Sequence, residues 1–356
     1  MDGPALSTVS QPSVSTCRDC CDFRLGHYPS GLGSQVVPED RRVAVIAGGV
    51  GAAKFLRGLL KFYPNELVTA VVNVADDFHL HGLSISPDLD TVAYTISNQV
   101  NPETGWGRTG ESWRVMAELE KLGGHTWFSL GDLDLALHLY RTQRLAEGAT
   151  LSDVTREICV AWGITAKLLP ATDAKISTQL KVRDKDWVDF QDYFVAQQHS
   201  VPIADVRFAG IESASPGPGV IPSLEEADII IIAPSNPIVS VNPVLEISGI
   251  RETLQSRKET VVAISPIVGG AALKGPASRM LEELGYERSA VGVADVYKDI
   301  AAILVIDEVD AALSSRIESE GIRTLVTDTI MSDPERAAHL AKATLECLFS
   351  NKEGPL

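Results

Sequence analysis

The chain has 356 residues, 45% of them hydrophobic and 22% charged, which is enough for a large buried core. A formal net charge of −16 argues against a general nucleic-acid binder, which needs a basic face to neutralise phosphates, but leaves room for a small anionic ligand in a locally positive site. No apolar run approaches the roughly 18 residues of a membrane helix, and the N-terminus lacks the apolar core of a signal peptide. The chain therefore reads as soluble and cytoplasmic, with neither a nucleic acid nor a membrane as partner.

Residues 1 to about 40 are rich in Ser, Pro, Gly and Cys without a sustained period, and read as a flexible extension. Cys17, Cys20 and Cys21 form "CRDCC" there. A C-x-x-C pair can begin a zinc site, but no second pair follows and His27 is the only further ligand nearby. Residues 41–350 read as one α/β domain. Val43 to Ala47 is a short apolar run, hence a buried strand; "GGVG" is a turn; Ala52 to Lys61 has helical spacing with Phe55, Leu56, Leu59 and Leu60 on one side. A second strand is predicted from Leu67 to Val74. This order signals a doubly wound, mostly parallel, Rossmann-like sheet.

From about 110 to 180 the pattern is mostly helical ("SWRVMAELEKLG", "LDLALHLYRTQRLAEG", "LSDVTREICVAWGI"), the last opening with Ser152 or Asp153 as a cap. This reads as a helical insertion over one end of the sheet, near the active site. Residues 187–211 look strand-like. Three apolar strands then follow in "ADIIIIAPSNP", "ETVVAISPIVGG" and "AAILVIDEVD", and an amphipathic helix from Pro334 to Phe349 closes the fold. Cys159 and Cys347 fall in predicted helices as buried thiols.

Three stretches carry chemistry. In "AGGVGAAKF", Gly48, Gly49 and Gly51 let a ligand approach the backbone, and the following helix offers free N–H groups to a phosphate. The dinucleotide fingerprint is incomplete, since Lys54 stands at its third glycine position, and no P-loop is present. In "NVADDFHLHGLSISPDLDTVAY", Asp76 and Asp77 lie just past a strand end, one strand over from the glycine loop. Asp88 and Asp90 fall in the first turn of a helix opened by Pro87. Acids there complement a helix dipole, hold Mg²⁺ against a diphosphate, or take a proton from an attacking hydroxyl. Asn73 is a further substrate-binding candidate. Finally, "APSNPIVS" and "SPIVGGAALKGPA" place Ser235, Asn236 and Lys274 in strand-end loops, where they suit a base or a phosphate as well as an ordinary turn. No Ser-His-Asp order, G-x-S-x-G elbow or H-E-x-x-H occurs.

Taken together, "GGVGAAKFLRGL", "NVADDF", "SPDLDTVAY", "GDLDLALHLYRT", "PSNPIVS" and "SPIVGGAALKGPA" resemble, in the same order, the 2-phospho-L-lactate transferases (the CofD/FbiA family) of coenzyme F-420 biosynthesis. The resemblance spans about residues 43 to 348. It implies a guanosine-diphosphate-linked donor carrying lactate or enolpyruvate, attack by the terminal ribityl hydroxyl of the deazaflavin Fo, loss of GMP, Mg²⁺ as cofactor and a homodimer. By the same resemblance Asp90 contacts Fo and acts in catalysis. Ser129 stands where archaeal members carry Lys or Arg for a second Fo contact. Gly48, Gly49 and Gly51 match the phosphate loop, and Asp76 and Asp77 the acidic pair for metal or catalysis. Ser235 and Asn236 match the loop near the guanosine nucleotide. No residue reads the difference between lactate and enolpyruvate, though the glycine loop and apolar strands look like those of bacterial members, where enolpyruvate is a common donor. The rival is a YvcK-like nucleotide-binding regulator, which resembles this chain at the glycine loop and "PSNP" but reads closer to "GDxRN" where this chain has "SPDLDTVAY". A nucleotide-sugar or nicotinamide enzyme rests on fold analogy alone.

Overall fold

In the computed structural model, residues 40–348 are described, apart from 183–185, 192, 194–200 and 273–274. The extension with its "CRDCC" and the candidate Lys274 lie outside the described residues. In chain order come β1 (Val43–Ala47), α1 (Gly49–Leu59), β2 (Val68–Val72), β3 (Phe78–Leu80), β4 (Leu83–Ile85) and α2 (Pro87–Ile96), then α3 (Arg114–Lys121), α4 (Asp132–Ala146) and α5 (Leu151–Ala161). Next are β5 (Lys167–Pro170), β6 (Ser177–Val182), β7 (Trp187–Asp189), β8 (Ile203–Ala209), α6 (Val220–Glu226) and β9 (Ile229–Ile232). They are followed by α7 (Asn242–Leu245), α8 (Ile250–Ser256), β10 (Val261–Ile264), β11 (Ile267–Val268), β12 (Ala271–Ala272) and α9 (Ala277–Glu283). The chain ends on α10 (Ala290–Tyr297), β13 (Ile303–Ile306), α11 (Ser314–Ser319), β14 (Arg323–Val326) and α12 (Pro334–Glu346).

Seven strands form one sheet in the order β14-β13-β10-β9-β1-β2-β5. Every pairing in it is parallel. A parallel sheet needs helical crossovers that cover both faces, so its strands are apolar throughout. Accordingly all residues of β1, β2, β9, β10 and β13 are buried. The doubly wound, Rossmann-like reading is therefore correct. From β1 the chain works outward to β2 and β5; from β9 it works the other way to β10, β13 and β14. The order reverses between β1 and β9. At such a switch point the loops leave in opposite directions and open a crevice beyond the strand ends.

Four local expectations need correction. The helical stretch ends at Ala161, because Lys167–Pro170 pairs with β2 as the sheet's edge strand. The α5 cap is Thr150, whose hydroxyl accepts from Asp153 N, with the Asp153 carboxylate reaching back in a capping box. Among the described residues of 187–211 the strands are β7 and β8, and both flank β6 in a small antiparallel sheet. Cys159 is buried, but Cys347 is only half-buried. The acidic stretch from Asn73 to Tyr94 also folds into a β3–β4 hairpin that its sequence did not announce, turning through His81 and Gly82, both at positive φ (54° and 76°).

Candidate active site

The crevice at the switch point is a cleft of about 900 Å³. One wall is the glycine loop. Gly49 adopts φ 69°, the left-handed region that favours glycine. Gly51 lies so close to the Pro234 carbonyl oxygen that a Cβ would overlap it. The start of α1 is thus pressed onto the loop that follows β9. Ser235 reinforces this by donating its hydroxyl to the Gly48 carbonyl at 2.7 Å. The Asn236 side chain accepts from Ile238 N at 3.0 Å and caps the next turn. Lys54, one α1 turn in, lines the cleft and donates to the Met331 carbonyl at 3.2 Å. The far wall around Met331 is fixed by Asp307, whose carboxylate accepts from Thr329 N (2.9 Å) and its hydroxyl (2.8 Å).

The acidic group meets the glycine loop directly. Asn73, buried just past β2, donates one amide nitrogen to Asp88 Oδ2 (3.0 Å) and to Asp76 Oδ1 (3.4 Å). Its own Oδ1 accepts from Ala75 N at 3.0 Å, which fixes the amide's orientation. Asp88 also accepts from the Gly49 backbone N–H. Burial raises Asp88 to about 6 despite these two donors. Burial, then the neighbouring Asp88 and Asp77, push Asp76 well above the usual carboxylate range. Burial does the same to Asp77, against a 2.7 Å hydrogen bond from Ser86. Asp77 Oδ1 is buried without a hydrogen-bond partner.

The other end of the cleft lies between α2 and α4. Asp90 accepts from both terminal nitrogens of Arg141, with the Nη1 contact to Oδ2 at 3.1 Å and the second from Nη2 to Oδ1. His138 Nδ1 stands 3.7 Å from the same carboxylate. Burial lowers His138 to about 4, so it is neutral at pH 7. Tyr94, one turn on from Asp90, faces Asp134 at the start of α4, and burial raises Asp134 to about 6. Trp106, Trp127 and Phe128 add an aromatic lining next to Ser129.

Of the candidates read from the sequence, Gly48, Gly49, Gly51, Lys54, Asp76, Asp88, Asp90, Ser129, Ser235 and Asn236 all line this one cleft. Asp77 is not among the lining residues. Asn73 sits behind the wall and organises Asp76 and Asp88. Sequence reasoning missed Arg141, His138, Asp134 and Tyr94. The only available signal was the run Asp134, His138, Arg141 on one face of a predicted helix, which is equally the pattern of an exposed face.

The donor set suits a hard cation. Among the described residues no three His, Cys, Asp or Glu side chains converge as a metal site. Asp76 and Asp88 nevertheless face one neutral amide while burial disfavours the charge on both. Mg²⁺ typically takes one or two carboxylates and completes its shell with water and substrate phosphates, which fits this pair beside the glycine loop.

Fold and site define an open α/β protein with a ligand cleft at its switch point, walled by a glycine loop and acids. The profile of the family described as "2-phospho-L-lactate transferase CofD" matches residues 43–345, and the chain belongs to that family of transferases. It is 40% identical over 309 residues to a phosphoenolpyruvate transferase of Streptomyces coelicolor, covering 85% of this chain and 97% of the relative. It is 39% identical over 325 residues to a phosphoenolpyruvate transferase of Thermobifida fusca, covering 88% and 99%. A crystal structure of a Bacillus halodurans protein superposes with a TM-score of 0.60 at 20% identity, covering 86% of this chain and 99% of that one; it shares the fold.

Proposed function

We propose that the protein transfers a phospho-acid from a guanosine-diphosphate-linked three-carbon acid to the terminal ribityl hydroxyl of Fo, releasing GMP. The carrying observation is one continuous cleft that joins a glycine phosphate loop and facing carboxylates to an aromatic-lined end with a fixed carboxylate, in a chain of this family. The names of the relatives favour enolpyruvate as the acid, with dehydro-F420-0 as product rather than F420-0.

The chain's own groups supply what such a transfer needs. The first-turn N–H groups of α1 beyond Gly49, whose own N–H goes to Asp88, act with the Lys54 ammonium to neutralise and orient the diphosphate. Ser235 and Asn236 hold the loop nearest the nucleoside. The aromatic side chains and Asp90 seat the acceptor and orient its hydroxyl. Mg²⁺ held through Asp76 and Asp88 would screen charge on the transferring phosphate.

The test is to incubate the protein with Fo, enolpyruvyl- or lactyl-diphosphoguanosine and Mg²⁺, and to follow products by mass spectrometry. A new phosphodiester of Fo and stoichiometric GMP are expected. Nucleotide binding without product from either donor would overturn the reading in favour of a nucleotide-binding regulator.

A further inference from the structure

By sequence Asp90 reads as a carboxylate able to act as a base or a ligand. The fold gives it a different setting. Its side chain is 7% exposed and Arg141's is 3% exposed, so the pair is shielded from water on the α2–α4 seam. Both Asp90 oxygens receive guanidinium donors, a geometry that fixes the plane of the carboxylate as well as its position. Arg141 is itself held by its contacts to the Ser84 carbonyl (3.4 Å) and His138 Nδ1 (3.3 Å). His138 contributes no charge at neutral pH. Asp90 and His138 line the cleft, whereas Arg141 is not among its lining residues.

We infer that Arg141 is a positioning residue for the acceptor end of the cleft: it locks Asp90 in one orientation, so that this carboxylate receives a hydroxyl or N–H donor of the acceptor without itself becoming free to move. The inference rests on the reading of Asp90 as an acceptor contact. Its physical basis is that a buried carboxylate with a single-bond rotor has several orientations, and only a bidentate partner selects one. A lysine supplies charge but not that selection. The phosphate loop stands on β1 and α1, outside the seam, so the donor's nucleotide should not sense the change.

The experiment measures binding rather than turnover. Fo affinity and GDP affinity are determined separately by equilibrium dialysis for the full-length protein and for Arg141→Lys and Arg141→Met, with thermal unfolding followed in parallel. Arg141→Met is expected to weaken Fo binding about 10- to 100-fold, the scale on which a misplaced contact costs a site, with GDP affinity changed less than about threefold. Arg141→Lys should fall between wild type and Arg141→Met and serves if the Met variant does not fold. Fo binding within about twofold of wild type in both variants would overturn the inference while leaving the transferase reading intact. Equal losses of Fo and GDP affinity would also overturn it, since that is what a purely structural weld would give. A wild-type protein that binds GDP but not Fo would remove the acceptor reading and this inference with it.

Discussion

Gly51→Ala tests the contact that makes the glycine loop and the post-β9 loop one wall. The new Cβ would overlap the Pro234 carbonyl oxygen and lie 3.3 Å from its carbon. Both are backbone atoms at the end of a central strand and cannot rotate away. Overpacking of this kind costs about 3 kcal/mol, and the better helix propensity of alanine at this α1 position offsets about 1 kcal/mol. The net cost is about 2 kcal/mol. Unfolding entropy of about 2.1 cal/mol/K per residue over roughly 300 residues gives about 0.6 kcal/mol/K, so Tm should fall by about 3 °C. GDP affinity should fall as well, because the loop can relieve the overlap only by moving off Ser235. Gly49→Ala is the control: its Cβ has only Asp88 Oδ1 at 3.6 Å nearby, and its cost is the strain of φ 69°, about 1–2 kcal/mol. Calorimetry and GDP titration of both variants decide the matter. A Gly51→Ala protein with wild-type Tm and GDP affinity would refute the close-approach argument.

Two further predictions concern charge. Asp76→Asn should weaken Mn²⁺ binding, read by electron paramagnetic resonance as a stand-in for Mg²⁺, by about tenfold or more, while Asp77→Asn, off the cleft, should change it less than about twofold. The Asp134 carboxyl, surrounded by Tyr94, Glu111, Asp90 and the Gly131 N–H, titrates at about 6 in the fold against an ordinary 3.8. The folded state therefore binds its proton more tightly than the unfolded chain. That contribution is fully present below pH 4 and is lost as pH rises through 6. Relative to wild type, Asp134→Asn should gain stability between pH 4 and 6, and parallel denaturant curves at the two ends would show otherwise.

Much of the frame was legible locally. Val43–Ala47 was placed to the residue because five consecutive small or branched apolar residues between charge and glycine fit only a buried strand. Pro87 at the first turn of α2, with Asp88 and Asp90 behind it, was readable because proline fits the start of a helix and acids its dipole. By contrast, Lys167–Pro170 has one exposed and three partly or fully buried residues as an edge strand, and its four-residue length left no period to detect. For the acids of "NVADDFHLHGLSISPDLDTVAY", sequence separated a pair past a strand end from a pair in a helix first turn but named no side-chain partner for any of them. In the fold Asp76 and Asp88 share the Asn73 amide, Asp77 bonds Ser86, and Asp90 bonds Arg141.

The sequence by itself therefore singled out candidates for phosphate and cation binding, because glycine freedom, helix dipoles and hard oxygen ligands are properties of short stretches. Only the tertiary structure decided which of those residues act together. Asp90 and Arg141 are 51 residues apart, and their meeting depends on how α4 lies against α2. Burial raises Asp76, Asp77 and Asp88 alike, and that burial is set by everything packed around them, which no local pattern encodes.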